Sequence, residues 1–248
     1  VLTSAPSSDW IAEHRRIWLR KGGLRAVYQR WFAELRAACM PPIIELGCGA
    51  GLFKECYPEV LATDAMASPY AEQVVDATAL PFSDGSVGAL VLLDVFHHLP
   101  DPAAFLTEAA RVLRPGGRIA MLEPWPGLAG RALYTYVHHE QCDLRVDPAR
   151  PWCDASKDPM EGNVALPYLY FGPRGHLPRL RLPLRIVRRR PFAALPWLLS
   201  GGFQPLGILP ASLMGPADAL DRVLSTIPGL TATRCYLVLE RGGDGEPT

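Results

Sequence analysis

The chain has 248 residues, enough to bury a sizeable core as one large domain or two small ones. A hydrophobic share of 49% and a charged share of 20% exclude a disordered chain. The formal net charge is zero, so no global field draws the chain to nucleic acid. Only Lys21, Lys54 and Lys157 among its 25 basic residues are lysines, an arginine bias that reads as a GC-rich bacterial coding sequence.

Residues 8–38 are expected to be helical. Trp10, Ile17, Trp18, Leu24, Tyr28 and Phe32 recur at helical spacing, with Gly22-Gly23 as a break and Pro41-Pro42 as the stop. A strand from Ile43 to Leu46 then opens into the turn Gly47-Cys48-Gly49-Ala50-Gly51, followed by a short helix from Leu52 to Cys56. Val60 to Thr63 reads as a strand ending at Asp64, and Gln73 to Val75 as one ending at Asp76, with only a loop around 67–71 between them. Val87 to Leu93 is a near-continuous apolar run ending at Asp94, as in a strand buried on both faces. Asp101 to Leu113 reads as a helix with Pro102 in its first turn, and Arg118 to Glu123 as a fifth strand. Residues 124–190 break this rhythm and read as an insertion, with a helix from Leu128 to His139. Beyond it come a helix from Phe192 to Leu199, a strand at Leu206 to Leu209, a helix from Ala217 to Ser225 and a last strand from Arg234 to Glu240. The tail from Gly242 reads as disordered.

The β-α alternation predicts a parallel sheet with right-handed crossovers, and the fold expected for the chain is α/β, a Rossmann-like three-layer αβα sandwich with a seven-stranded, mainly parallel sheet and an antiparallel last strand. The whole of 1–248 is expected to be a single domain. It would comprise a helical segment at 8–40, a cofactor half at 41–123, the insertion at 124–190 over an acceptor site, and the rest of the sheet at 191–240. No apolar stretch reaches the length of a membrane span, and the N-terminus does not read as a signal peptide. The six cysteines contain no C-x-x-C pair and read as free thiols, so a cytoplasmic location is expected.

In an open parallel sheet ligands bind beyond the carboxyl ends of the strands. That edge carries a glycine-rich turn, where backbone can approach a ligand closely, together with Glu45, Asp64, Asp76 and Asp94. Asp64 suits the two hydroxyls of a ribose, and Asp76, with Ala77 and Thr78, suits an adenine amine. Each acid alone reads more simply as a cap, and the glycine turn alone is a weak signal. Their order is what points to a nucleotide.

The segments 43–51 (IIELGCGAG), 76–82 (DATALPF), 94–99 (DVFHHL) and 108–117 (EAARVLRPGG) resemble, in register, the signatures of the class I S-adenosylmethionine-dependent methyltransferases, of the type 11 kind. The resemblance covers residues 43–123. It implies that Glu45, Gly47, Cys48, Gly49 and Gly51 surround the methionine end of the cofactor. It places Asp64, Ala65 and Met66 at the ribose and beside the adenine, and Asp76, Ala77 and Thr78 at the adenine. Leu93, Asp94, Val95 and His98 would line the methionyl group. The implied reaction is methyl transfer from S-adenosylmethionine to a small-molecule acceptor, hydrophobic or lipid-linked, leaving S-adenosylhomocysteine. Two other readings compete. A nicotinamide-dependent oxidoreductase shares the fold, but no tyrosine here is followed four positions later by the lysine that short-chain reductases need. A non-catalytic cofactor-binding scaffold would keep the pocket without the transfer.

An oxygen acceptor must lose its proton, and histidine titrates nearest neutrality. The candidates are His97, His98 and His139, with Glu123, His138, His139 and Glu140 expected to face the acceptor. Packing beside Phe96 and Leu99 is an equally good reading of His97 and His98. His139, Cys142 and Cys153 have ligand chemistry but follow no finger spacing, so no metal is expected. The arginines from Arg174 to Arg190 read either as a solvated strand and loop or as a flap toward an anionic acceptor or membrane surface. No nucleic-acid partner and no transmembrane segment are expected.

Overall fold

A computed structural model describes residues 9–137, 140–153, 158, 160–204, 207 and 213–243. Helices α1 (Asp9–Arg20) and α2 (Gly22–Ala37) precede β1 (Ile43–Leu46), which leads through the glycine turn to the five-residue α3 (Leu52–Cys56). Then follow β2 (Leu61–Asp64), β3 (Gln73–Val74), β4 (Val87–Leu93), α4 (Pro102–Val112) and β5 (Leu113–Pro124). The remaining elements are α5 (Leu128–Tyr136), α6 (Leu166–Phe171), β6 (Leu184–Phe192), α7 (Leu195–Ser200), α8 (Met214–Leu224), α9 (Pro228–Thr231) and β7 (Arg234–Arg241).

The strands form one seven-stranded sheet in the order β3-β2-β1-β4-β5-β7-β6. β1 through β5 pair in parallel, while β7 runs antiparallel to both β5 and β6. The expected Rossmann-like three-layer sandwich with an antiparallel last strand is therefore present. β4 is central and is buried from Val87 to Leu92, which is why its sequence shows no polar alternation. One face of the sheet packs Phe96, Phe105, Leu106 and Phe171 from α4, α6 and the turn after β4. The other packs Trp18, Leu24, Phe32, Phe53 and Trp197 from α1, α2, α3 and α7. Asp101 caps α4 by accepting from the Ala104 N–H (3.0 Å), and Pro102 begins it.

The structure corrects the sequence reading at three places. The sixth strand is Leu184–Phe192, inside the stretch read as insertion, while residues 206, 208 and 209 lie outside those described. The signal was masked because β6 is an edge strand. Its solvent-facing arginines interrupt the apolar pattern, and Phe192 belongs to it rather than to the next helix. The α5 helix ends at Tyr136, and the predicted His138 and His139 lie outside the described residues. The arginines of β6 are largely absorbed by the fold. Arg188 and Arg190 pair with Glu34, Arg185 with Glu240, and Arg189 donates to the Phe171 carbonyl. They build a strand edge rather than a flap.

Candidate functional site

Every parallel strand ends at one edge of the sheet, and β7, running the other way, begins there with Arg234. The edge divides into a glycine-turn side, on β1 and β2, and a histidine side, on β4, β5 and the 140–164 segment.

On the glycine side, Gly47, Gly49 and Gly51 all have left-handed backbone (φ +71°, +49° and +68°). The requirement is strongest at Gly47, where an added Cβ would lie 2.4 Å from Val95 Cγ2. The turn is tied to the next strand: the Cys48 N–H donates to the Thr63 carbonyl (2.9 Å) and the Gly49 N–H to Asp64 Oδ2 (2.9 Å). Asp64 Oδ1 accepts from the Met66 N–H (3.1 Å), so each carboxylate oxygen is oriented by one amide and retains a lone pair for a further donor. Glu45 is buried, and its Oε2 has no hydrogen-bond partner among the described residues. Burial, reinforced by Asp64, pushes its carboxyl up to about 8. Asp76 is exposed, and its Oδ1 accepts from both the N–H and the hydroxyl of Thr78, the local cap that its residue type favours.

A buried acid with one oxygen unpartnered, beside an oriented carboxylate and a glycine cradle, is the test for a cofactor carrying an ammonium group and a ribose. The residues fit. Glu45 Oε2 needs a cationic donor, and Asp64 can accept hydroxyls. Trp10 of α1 rests over the turn, its ring 3.5 Å from where a Gly49 Cβ would stand, and Tyr70 packs against Gly51. Neither aromatic carries a motif. They were legible only as members of an apolar helix and of a loop.

On the histidine side, Glu123 is fully buried at the end of β5. Its Oε1 accepts the Val95 and Phe96 N–H groups (2.9 and 2.8 Å), and its Oε2 lies 2.7 Å from His97 Nδ1. Burial raises the Glu123 carboxyl to about 7, against the pull of those two amides. Glu123 was expected to face an acceptor; its Oε1 serves two backbone amides and its Oε2 lies against His97. His98 lies beside His97 with ring centroids 4.1 Å apart, its Nδ1 3.1 Å from the Glu161 carbonyl. Burial, and then His97, hold its pKa down at about 4. The 140–164 segment brings Glu140 to the pair: its Oε2 stands 3.7 Å from His97 Nε2.

Between the two sides, Asp94 adopts left-handed backbone (φ 56°) and forms an ion pair with Arg234 across the end of β5. The Arg234 side chain is buried, stacked over Trp197 (4.3 Å) with Trp31 at 5.9 Å. Burial opposes its charge, but Asp94, Tyr134 and Tyr28 together more than offset this and the guanidinium remains protonated. Sequence reading missed Arg234. The available signal was a cation opening an otherwise apolar strand at the ligand-bearing edge.

Residues 44–121 match the family model described as "Methyltransferase domain". A probable S-adenosylmethionine-dependent methyltransferase of Mycolicibacterium smegmatis is 32% identical over 50% of this chain and 51% of its own length. The demethylmenaquinone methyltransferase of Beutenbergia cavernae is 38% identical over 32% of this chain and 40% of its own length. The matches thus span about half or less of these curated relatives. Among solved structures, a putative methyltransferase of Haloferax volcanii, in complex with the Trm112 methyltransferase activator, superposes with a TM-score of 0.54 over 96% of both chains at 17% identity, which is a likeness of fold. With its glycine turn and strand-end acids, the stretch 44–121 is similar to the methyltransferase domain of S-adenosylmethionine-dependent enzymes.

Proposed function

We propose that the chain transfers the methyl group of S-adenosylmethionine to a small, uncharged, largely apolar acceptor. The observation that carries the reading is the cradle of Glu45, the Gly47–Gly51 turn and Asp64, which leaves a buried carboxyl oxygen unpartnered where a cofactor ammonium would sit. When bound, the cofactor supplies a sulfonium methyl that leaves without needing a proton. Glu45 and the turn amides hold the amino-acid end, and Asp64, with Ala65 and Met66 after it, holds the ribose. Asp76 keeps one oxygen beyond its Thr78 cap for the adenine edge, next to Ala77. Leu93, Asp94 and Val95 wall the methionyl portion, with Trp10 excluding water above the turn.

The acceptor lies between the Asp94 end of β4 and the 140–164 segment. Its uncharged character follows from pairing: Asp94 is matched by Arg234 and Glu123 is joined to His97, so this edge offers aromatic walls and internally satisfied charge. For an oxygen acceptor, the face formed by His97, His98 and Glu140 is where the proton is lost. No helix among the described residues is long and apolar enough to cross a membrane. No disulfide joins the described cysteines, which accords with a reducing setting.

The test has two parts. Calorimetry with S-adenosylhomocysteine should give one site per chain, weakened at least tenfold in Glu45→Gln and Asp64→Asn. Incubation with methyl-labelled cofactor and a fractionated extract of the source cell should then label an organic-extractable small molecule. Absence of cofactor binding by the folded protein refutes the reading. Binding with no labelled product favours the scaffold alternative, and protection by a nicotinamide cofactor favours the oxidoreductase.

A further inference from the structure

We infer that His97, His98 and Glu140 form a binding site for one divalent first-row transition ion of the zinc class. One nitrogen or oxygen from each of the three comes within 4.8 Å of the others, and His97 Nε2 and Glu140 Oε2 stand 3.7 Å apart. Ligands on a tetrahedral ion with bonds of about 2.1 Å stand about 3.4 Å from one another, so the His97–Glu140 pair already lies within a few tenths of an ångström of ligand spacing.

Ring orientation carries the argument further than proximity does. Each imidazole has an oxygen acceptor opposite Nδ1: Glu123 Oε2 for His97 (2.7 Å) and the Glu161 carbonyl for His98 (3.1 Å). The Glu161 carbonyl can only accept, so His98 carries its proton on Nδ1, and an ionised Glu123 holds His97 in the same tautomer, which makes Nε2 the metal-binding nitrogen of each ring. This is the arrangement in which a carboxylate or carbonyl fixes a metal-binding histidine from behind. A second grouping, Asp94 with His97 and Glu123, also lies within ligand distance. It is the inner side of the same assembly, where both Glu123 oxygens already accept hydrogen bonds, so the ion belongs on the outer side.

The surrounding backbone is built to hold the set. At Gly162 an added Cβ would lie 2.8 Å from His97 Cδ2 and 3.0 Å from His98 Nδ1, so this loop can press on both rings only as glycine. The Asn163 N–H donates to the His97 carbonyl (2.9 Å), and the Val164 N–H to the Gln141 carbonyl (2.9 Å), which ties the strand of chain bearing Glu140 to the histidine turn. Two imidazoles and one carboxylate leave a position open to a further ligand, and such a nitrogen-oxygen set suits zinc and its neighbours rather than magnesium. An acceptor hydroxyl taken up there would release its proton to solvent more readily, the imidazoles serving as ligands rather than bases. That use of the ion rests on the methyltransferase reading; the binding of the ion does not.

The test is calorimetric titration of chelator-treated, desalted full-length protein with zinc chloride, with cobalt(II) as a spectroscopic substitute. The expected result is one ion per chain, an affinity weakened at least tenfold in both Glu140→Gln and His98→Gln, and no change in a Cys142→Ser/Cys153→Ser double variant. Cobalt should give tetrahedral visible bands without a thiolate charge-transfer band. Glu140→Gln is isosteric and partly exposed, so its thermal melt serves as the folding control. Lack of stoichiometric binding, an affinity unchanged from the parent in either ligand variant, or a thiolate band overturns the inference. Titration of the same samples with S-adenosylhomocysteine separates the two claims: a protein that binds zinc but not this molecule refutes the methyltransferase reading alone.

Discussion

The ion pair between Asp94 and Arg234 offers a sharp test of how this edge is held. Asp94→Asn keeps the side-chain shape and tolerates the left-handed backbone (φ 56°), while removing the charge that faces a buried guanidinium. Breaking a buried pair from one side costs about 3–5 kcal/mol, because the remaining charge is left uncompensated. Arg234 is 4% exposed at its side chain but Asp94 is 29% exposed, so water screens one partner and the lower end, about 3 kcal/mol, applies. In a domain of this size that corresponds to a fall in Tm of about 6–12 °C.

The double variant Asp94→Asn/Arg234→Met should recover most of the loss, because a methionine can pack against Trp197 and Trp31 where the guanidinium now stacks. Asp94→Gly should be less damaging than Asp94→Ala by about 1 kcal/mol, since glycine alone relieves the left-handed backbone. Urea denaturation followed by tryptophan fluorescence reports on these variants, the Arg234→Met single variant and the parent. If Asp94→Asn stays within about 0.5 kcal/mol of the parent, or the double variant loses the sum of its single costs, the pair does not organise the edge.

Other predictions concern the neighbouring groups. Because the Glu45 carboxyl is raised to about 8 from an ordinary 4.5, its contribution to stability is intact below pH 4.5 and is lost as pH rises through 8. Calorimetric melts should show the parent losing stability over that range relative to Glu45→Gln, and saturating cofactor should reduce the difference. Gly47→Ala should cost at least about 1 kcal/mol from its positive φ alone, and more from contact with Val95. A Val95→Ala companion should restore only the contact part, as read from urea midpoints. Asn163→Ala removes an acceptor for the Asp143 and Ala165 N–H groups and a donor to the Asp143 carbonyl. It should cost about 2–3 kcal/mol and speed hydrogen exchange at residues 140–145.

The cofactor half was legible because its rules are local. A strand that must be buried on both faces reads as an unbroken apolar run at 87–93, and a chain that turns under Val95 reads as glycine at 47. Proline and aspartate mark the start of α4 within three residues. The β6 strand escaped because an edge strand needs only one buried face, and Arg185, Arg188 and Arg190 answer to Glu240 and Glu34, which lie far along the chain. Trp10 was visible as a helical apolar residue, but nothing in its neighbours says that α1 folds back over Gly49. His97 and His98 stood out as a pair. Their tautomers depend on Glu123 and on the Glu161 carbonyl, 26 and 63 residues away in sequence.

The same distinction bears on how such an edge acquires an acceptor. Turn geometry at 47–51 can hold a common cofactor without help from the rest of the chain, since its partners, Asp64 and Val95, lie on the adjoining strands. The acceptor side has no such economy: Asp94 finds its counter-charge on β7 and His97 its support at the end of β5, while Glu140 is brought in by a segment held through Asn163. Asp94 with Arg234 and Glu123 with His97 are thereby paired before any ligand arrives, which preorganises the face and lowers the cost of ordering it around a ligand. On the proposed reading, a different acceptor would call for changes around Glu140 and Gly162, whereas the glycine turn could remain as it is. A substitution that loosens Asn163 should accordingly disturb the histidine face while leaving the affinity for S-adenosylhomocysteine unaltered.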